Sequence, residues 1–216
     1  MTQLSLKRPI TDYTKVQTFI GNVIRNKKSF ISKRRLQNKK YLDIGCGPNA
    51  HENFINLDYQ WSPKIDICWD FTKKNLPFDD NYFEGIYTEH CLEHITLNQC
   101  EAGMKEFYRV LKVNGILRIV VPDGELYLDS YYRKKNGEDI SLPYEEGYIS
   151  PIARVNGIFR EHGHQFIYDF YTFKLLLEKA GFKNIFKVEF GIGKNKELIL
   201  DTEYRKIESL YIEAYK

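Results

Sequence analysis

A chain of 216 residues, 43% hydrophobic and 28% charged, can bury one large core and is too evenly mixed for a disordered or fibrous protein. No stretch nears the roughly 18 consecutive apolar residues of a membrane span, no apolar leader opens the chain, and no repeat or low-complexity tract interrupts it. The net charge of +3 is uneven: residues 1–40 hold eleven Lys or Arg against one acid, leaving 21 basic and 28 acidic residues beyond them. Such an arm suits either a polyanion or the acidic body of its own chain. Lacking interleaved base-stacking aromatics, it fits the second better. Cys46, Cys68, Cys91 and Cys100 form no C-x-x-C pair and no zinc spacing. They read as free thiols of a reducing, cytoplasmic compartment.

Val16, Phe19, Ile20, Val23, Ile24, Phe30 and Ile31 fall at helical spacing, predicting one or two amphipathic helices before the first strand. Residues 40–44 read as that strand and run straight into Gly45-Cys-Gly47. Residues 54–58 and 65–70 predict a second and a third strand, each closed by an acid, Asp58 and Asp70. About eight residues separate Gly45 from the second strand, too few for a full crossover helix. Residues 83–88 predict a fourth strand after a turn at 77–81.

Asn98 with Glu101 predicts a capped helix start, Met104, Phe107, Tyr108 and Leu111 its inner face, and Asn114-Gly115 its end. Residues 116–121 give a fifth strand, apolar apart from Arg118. Residues 125–168 are rich in Tyr and Phe, with turn formers at Gly137, Pro143, Gly147 and Pro151. They read as a cap of loop or short-helix structure over an acceptor site. Asp169 is the expected N-cap of a further helix ended by Gly181, and residues 184–190 and 209–215 supply the last strands. Strand and helix alternate, which argues for a parallel, doubly wound α/β sheet.

Ligands of such sheets sit outside the carboxyl end of the first strand, where Gly45 and Gly47 permit a sharp turn and close approach to bare backbone. A dinucleotide fingerprint needs a third glycine, and Pro48-Asn-Ala50 stands there instead. Asp43, inside the strand, is placed to meet an ammonium group. Asp58 and Asp70 suit a ribose diol and an adenine amine as hydrogen-bond acceptors. Ammonium, ribose and adenine together describe S-adenosylmethionine better than a pyrophosphate cofactor.

Leu42-Asp-Ile-Gly-Cys-Gly47, Asp58, Asp70, Leu76-Pro-Phe78, residues 83–94 and the Arg109-Val-Leu-Lys112 segment through Gly115 resemble the class I S-adenosylmethionine-dependent methyltransferases, nearest their type 11 group. The resemblance implies a Rossmann-like, doubly wound, seven-stranded, mostly parallel sheet with helices on both faces, strand order 3-2-1-4-5-7-6 and an antiparallel seventh strand. It implies cofactor contacts at Asp43, Gly45, Cys46, Gly47 and Tyr59, at Asp58 for the ribose, at Asp70 and Phe71 for the adenine, and at Glu89 and His90 near the sulfonium. The domain organisation it suggests is a basic helical arm over residues 1–39 and a methyltransferase domain over 40–216, with 125–168 as the acceptor-site insertion.

His90-Cys-Leu-Glu93-His94 also fits the H-x-x-E-H pattern of inverted zinc peptidases. It is similar, too, to a pattern in some RNA 2′-hydroxyl methyltransferases that hold a divalent metal, with His162 or His164 recruited as further ligands. Its place after a sheet strand, where methyltransferases carry a similar Leu-Glu-His, favours a structural role and no metal. His162 and His164 are the candidate catalytic residues: one of them serves as a general base, or both cap the next helix or fasten the insertion to the body. The expected activity is methyl transfer to a small-molecule or sugar-containing acceptor. RNA or protein methylation guided by the basic arm, a non-catalytic cofactor-binding module and a dinucleotide oxidoreductase are the alternatives.

Overall fold

The computed structural model describes residues 13–216, so the first twelve residues of the basic arm lie outside the described part. The described part opens with α1 (Lys15–Ile24), whose start is fixed by a reciprocal capping box between Thr14 and Gln17, and the four-residue α2 (Lys33–Leu36). Seven strands follow: β1 (Tyr41–Ile44), β2 (Phe54–Asp58), β3 (Ile67–Cys68), β4 (Phe83–Glu89), β5 (Leu111–Pro122), β6 (Lys183–Val188) and β7 (Ser209–Tyr215). They form one sheet in the order β3-β2-β1-β4-β5-β7-β6. β1 to β5 run parallel, and β7 runs antiparallel to both neighbours. Order and direction are those the resemblance implied. No helix joins β1 to β2, as the short spacing required.

Helices α3 (Leu97–Val110) and α6 (Phe170–Ala180) lay Met104, Phe107, Phe173 and Leu177 against Leu42, Ile44, Ile86 and Leu117 in the main core. On the other face Phe54, Tyr87, Val120 and Tyr211 pack with Leu198, which a 3-10 turn brings over the sheet. No helix among the described residues is long and apolar enough to cross a membrane.

Four local expectations are corrected. The start of α3 is capped by Thr96 with Gln99, not by Asn98 with Glu101; the threonine hydroxyl and the glutamine amide satisfy each other's backbone N–H groups. The helix ends at Val110, and Leu111 already pairs with Phe83. Three extra residues then bulge out before Gly85 meets Ile116, with Asn114 in the left-handed region. The third strand shrinks from 65–70 to two residues, because its outer side is turned to the N-terminal arm: Asn26 N–H donates to Cys68 O, and Asp70 N–H to Asn26 Oδ1.

The insertion, expected as loop or short helix, carries two substantial helices, α4 (Gly124–Lys135) and α5 (Pro151–Arg160). Asp123 and Ser150 cap them, and Tyr127, Leu142, Val155 and Ile158 form a small core of their own. The cluster of tyrosines masked the helical period there.

β5 holds one fully buried cation. Arg118 donates to both oxygens of Asp201 (2.8 and 2.5 Å), to Glu213 on the neighbouring strand (3.1 Å) and to Ile192 O (2.9 Å). Such a charge is tolerated inside only when bidentate geometry satisfies its donors.

Candidate active site

The turn after β1 is built by two amides and one acid. Gly45 and Cys46 N–H both donate to Leu57 O (2.8 and 3.3 Å), folding the chain back over β2. Gly45 has φ +72°, and a Cβ there would collide with Cys91 Cβ and Sγ. Gly47 has φ +54°, and a Cβ added to it would meet nothing within 4 Å. Its backbone therefore borders open space, as a ligand approached closely by main chain requires. Asp58 holds this turn in place: Oδ2 accepts from Gly47 N–H (2.9 Å) and Oδ1 from Gln60 N–H (2.7 Å). Each oxygen keeps a lone pair for a further donor, which fits a vicinal diol. Burial pushes the Asp58 carboxyl up, while those amides and Arg25 work the other way.

Asp43 lies beneath the turn, almost fully buried, with His51 Nε2 4.0 Å from its Oδ2. Burial first, then the charges of Glu89 and Asp58, hold its pKa well above the carboxylate range. Burial lowers the pKa of His51, although Glu89 acts against it. Three carboxylates thus converge where little solvent reaches, and a cationic ligand relieves them. Raised in the folded state, Asp43 leaves folding stability intact at acid pH and subtracts from it as pH climbs through the raised value. Asp43→Asn is accordingly expected to melt higher than the parent at neutral pH and equally at pH 4. It is also expected to bind S-adenosylmethionine about 10-fold or more weakly, a charged hydrogen bond being worth about 1.5–3 kcal/mol. Thermal melts at the two pH values, with calorimetric titration, check both halves.

Asp70 caps the turn that follows β3, its Oδ1 accepting from Thr72 N–H (3.1 Å) and Oγ1 (2.6 Å). Phe71 rests on Phe107 with ring centroids 5.5 Å apart, close against Gly103. Tyr59 is half-exposed beneath the Arg25 guanidinium, which lies 3.6 Å over its ring and donates to its carbonyl (2.8 Å). Burial and the charge of Asp58 raise the Tyr13 phenol pKa. Arg25 and Asn26 therefore wall the site from the N-terminal side. Sequence reasoning missed them: α1 was legible as a helix, but no local pattern says which edge of a sheet a helix covers.

Glu89 and His90 reach the same carboxyl edge and are partly engaged there. The Glu89 carboxylate accepts from Thr202 N–H (2.9 Å) and Oγ1 (2.5 Å). His90, at φ +46°, sets Nε2 2.8 Å from Ser209 Oγ and Nδ1 3.4 Å from Glu93 Oε1. His162 and His164 are brought not to an isolated helix cap but to this segment. The His164 ring centroid is 5.0 Å from that of His94 and 5.8 Å from that of His162. His164 Nδ1–H donates to Ile158 O (2.6 Å), and burial lowers its pKa. Glu93 is completely buried; burial works to raise its pKa, but His90, His94 and His164 outweigh it and hold it at about 2.

Residues 16–186 match the family described as Methyltransferase domain. Among curated proteins, none matches the sequence. Solved structures share the fold, two of them over most of both chains. An S-adenosylmethionine-dependent methyltransferase from Archaeoglobus fulgidus has a TM-score of 0.51 at 19% identity, covering 93% of this chain and 94% of that one. Another from Thermotoga maritima has a TM-score of 0.50 at 18% identity, covering 82% of each chain. The bare glycine turn, the acid with lone pairs left free and the anionic floor fit S-adenosylmethionine. This chain is a member of the methyltransferase-domain family, a class I enzyme with S-adenosylmethionine as its cofactor.

Proposed function

We propose that the protein methylates a small-molecule or sugar-containing acceptor held under the insertion at 125–168, in a reducing cytoplasmic setting to which its four unpaired cysteines are suited. The observation that carries this reading is the anchoring of the insertion at the carboxyl edge of the sheet. Gly124 N–H donates to Tyr168 O (2.8 Å) at one end, and Gln165 N–H donates to Glu93 O (2.7 Å) near the other. The segment thus returns beside the cofactor crevice, forming a lid with tyrosines able to stack on a ring. RNA or protein methylation finds less support. Arg25, Arg35 and Lys39 of the basic arm are already engaged with the body, bonding Tyr59 O, Asp66 and Phe54 O.

S-adenosylmethionine, when bound, supplies a methyl group already activated by a sulfonium. Gly45, Gly47 and Asp43 would hold its methionine part, Asp58 and Tyr59 the ribose, and Asp70 and Phe71 the adenine. Positioning provides much of the remaining acceleration. A hydroxyl acceptor also needs its proton removed, and His162, in the cluster at the inner end of the lid, is the base we assign. His162→Ala is expected to lower kcat by about 10²–10⁴-fold with cofactor affinity unchanged. An unchanged kcat with the true acceptor removes the base.

The acceptor class is tested by incubating the enzyme with methyl-labelled cofactor and separated small-molecule, RNA and protein fractions. Label in the small-molecule fraction supports the proposal. Label in RNA or protein, falling steeply with salt for RNA, replaces it. No label anywhere despite cofactor binding favours a non-catalytic module.

A further inference from the structure

We infer that Glu93, His94 and His164 form a binding site for a divalent first-row transition cation at the inner end of the lid. One ligand atom from each of the three lies within 4.8 Å of the other two. Ligands held tetrahedrally about 2.0–2.2 Å from such an ion stand about 3.3–3.6 Å apart, so a side-chain contraction of about an ångström closes the set.

The strongest observation is Glu93 itself. Its side chain is fully buried, and neither carboxylate oxygen receives a hydrogen bond from the described residues. His90 Nδ1 at 3.4 Å and His94 Nε2 at 3.8 Å approach without completing one. A buried carboxylate so placed is costly unless a cation meets it.

The rest of the cluster is arranged as metal sites are. His164 donates Nδ1–H to the Ile158 carbonyl, which leaves Nε2 as the lone-pair donor and fixes the ring. The two contributing segments, 71 positions apart at Gln165 and His94, are locked together by main-chain bonds. Gln165 N–H and Phe166 N–H both donate to Glu93 O (2.7 and 3.3 Å), and Gln165 Nε2 donates to His94 O (2.7 Å). His94 keeps 40% of its side chain exposed, so an ion has a way in.

Two imidazoles with one carboxylate suit Zn²⁺, Mn²⁺, Co²⁺ or Fe²⁺ rather than Ca²⁺, and three protein ligands leave positions open for an oxygen ligand. Cys91, two residues before Glu93, packs against Gly45, so the ion would sit near the cofactor turn. An acceptor hydroxyl bound to it would be more acidic, leaving His162 to take the proton. The inference stands on the cluster alone and does not depend on the acceptor.

The test uses the full chain, stripped with a chelating resin and titrated with Co²⁺ and then Zn²⁺ by calorimetry and visible absorption. One ion per chain, with a Co²⁺ d–d band displaced by Zn²⁺, is expected. His94→Ala and His164→Ala should each weaken binding by about 100-fold or more. S-adenosylhomocysteine titrated into every preparation reports folding separately. No Co²⁺ or Zn²⁺ binding tighter than millimolar by protein that binds S-adenosylhomocysteine overturns the inference and leaves the histidines as counter-charges for Glu93. Binding unchanged in both variants overturns it equally. Metal binding with no cofactor binding would sustain the inference while refuting the methyltransferase reading.

Discussion

Asp58→Ala is expected to weaken S-adenosylmethionine binding by at least about 100-fold while leaving the sheet folded. The carboxylate does two things at once. It ties Gly47 N–H and Gln60 N–H into a fixed turn, and it offers its remaining lone pairs to the crevice. Hydrogen bonds to a charged group are worth about 1.5–3 kcal/mol, and tenfold in affinity is 1.4 kcal/mol. Losing one ribose contact together with the ordering of the turn therefore exceeds two decades. Stability should change little, because the removed charge was itself held at the cost of burial. Asp58→Asn keeps one acceptor but turns an amide NH₂ toward one of the two N–H donors, so it should fall between. Calorimetric titration with S-adenosylmethionine, alongside thermal melts, separates a lost ligand contact from a lost fold. Full affinity in Asp58→Ala would unseat the assignment of the crevice.

The largest expected effect on stability is at Arg118→Met, about 3–5 kcal/mol, because Asp201 and Glu213 would be left buried without their cation. At this chain length each kcal/mol moves the melting midpoint by about 2–4 °C, so a fall near 10 °C is expected. Asp201 precedes Thr202, the residue that holds Glu89, so the same variant should also weaken cofactor binding. Adding Asp201→Asn and Glu213→Gln should return much of the stability, since the orphaned charges go. Chemical denaturation of the single and triple variants measures this. A single variant as stable as the parent would mean that the ion pairs do not form.

The parts of the fold legible in the sequence are those set by short-range patterns. Residues 54–58 and 209–215 are short runs dominated by aromatic and aliphatic residues, and Asp169 and Gly181 punctuate α6 where a cap and a left-handed residue are needed. The strand order came from the resemblance, because periodicity says nothing of who pairs with whom. The misjudged elements each answer to a distant partner. The third strand gives up its ends to Asn26, and the insertion becomes helical around a core that only Tyr127, Leu142 and Val155 together create. The site divides likewise. Asp43 and Asp58 stand on two adjacent strands with the glycines in the turn between them, so a local motif announces them. Arg25 arrives from the N-terminal helix, and the pairing of Glu93 and His94 with His164 across the insertion was suggested only by a resemblance. No spacing rule reaches that far.

The seating of Asn26 on Cys68 carries a practical consequence for anyone trimming the basic stretch to improve behaviour in solution. A chain begun at residue 40 would retain all seven strands. It would also bare the outer edge of β3, where Cys68 O and Asp70 N–H are now satisfied by Asn26. Unsatisfied strand edges recruit other strands. Shortening the arm should therefore convert a covered edge into a self-adhesive one, and the loss of positive charge would be the lesser part of the change.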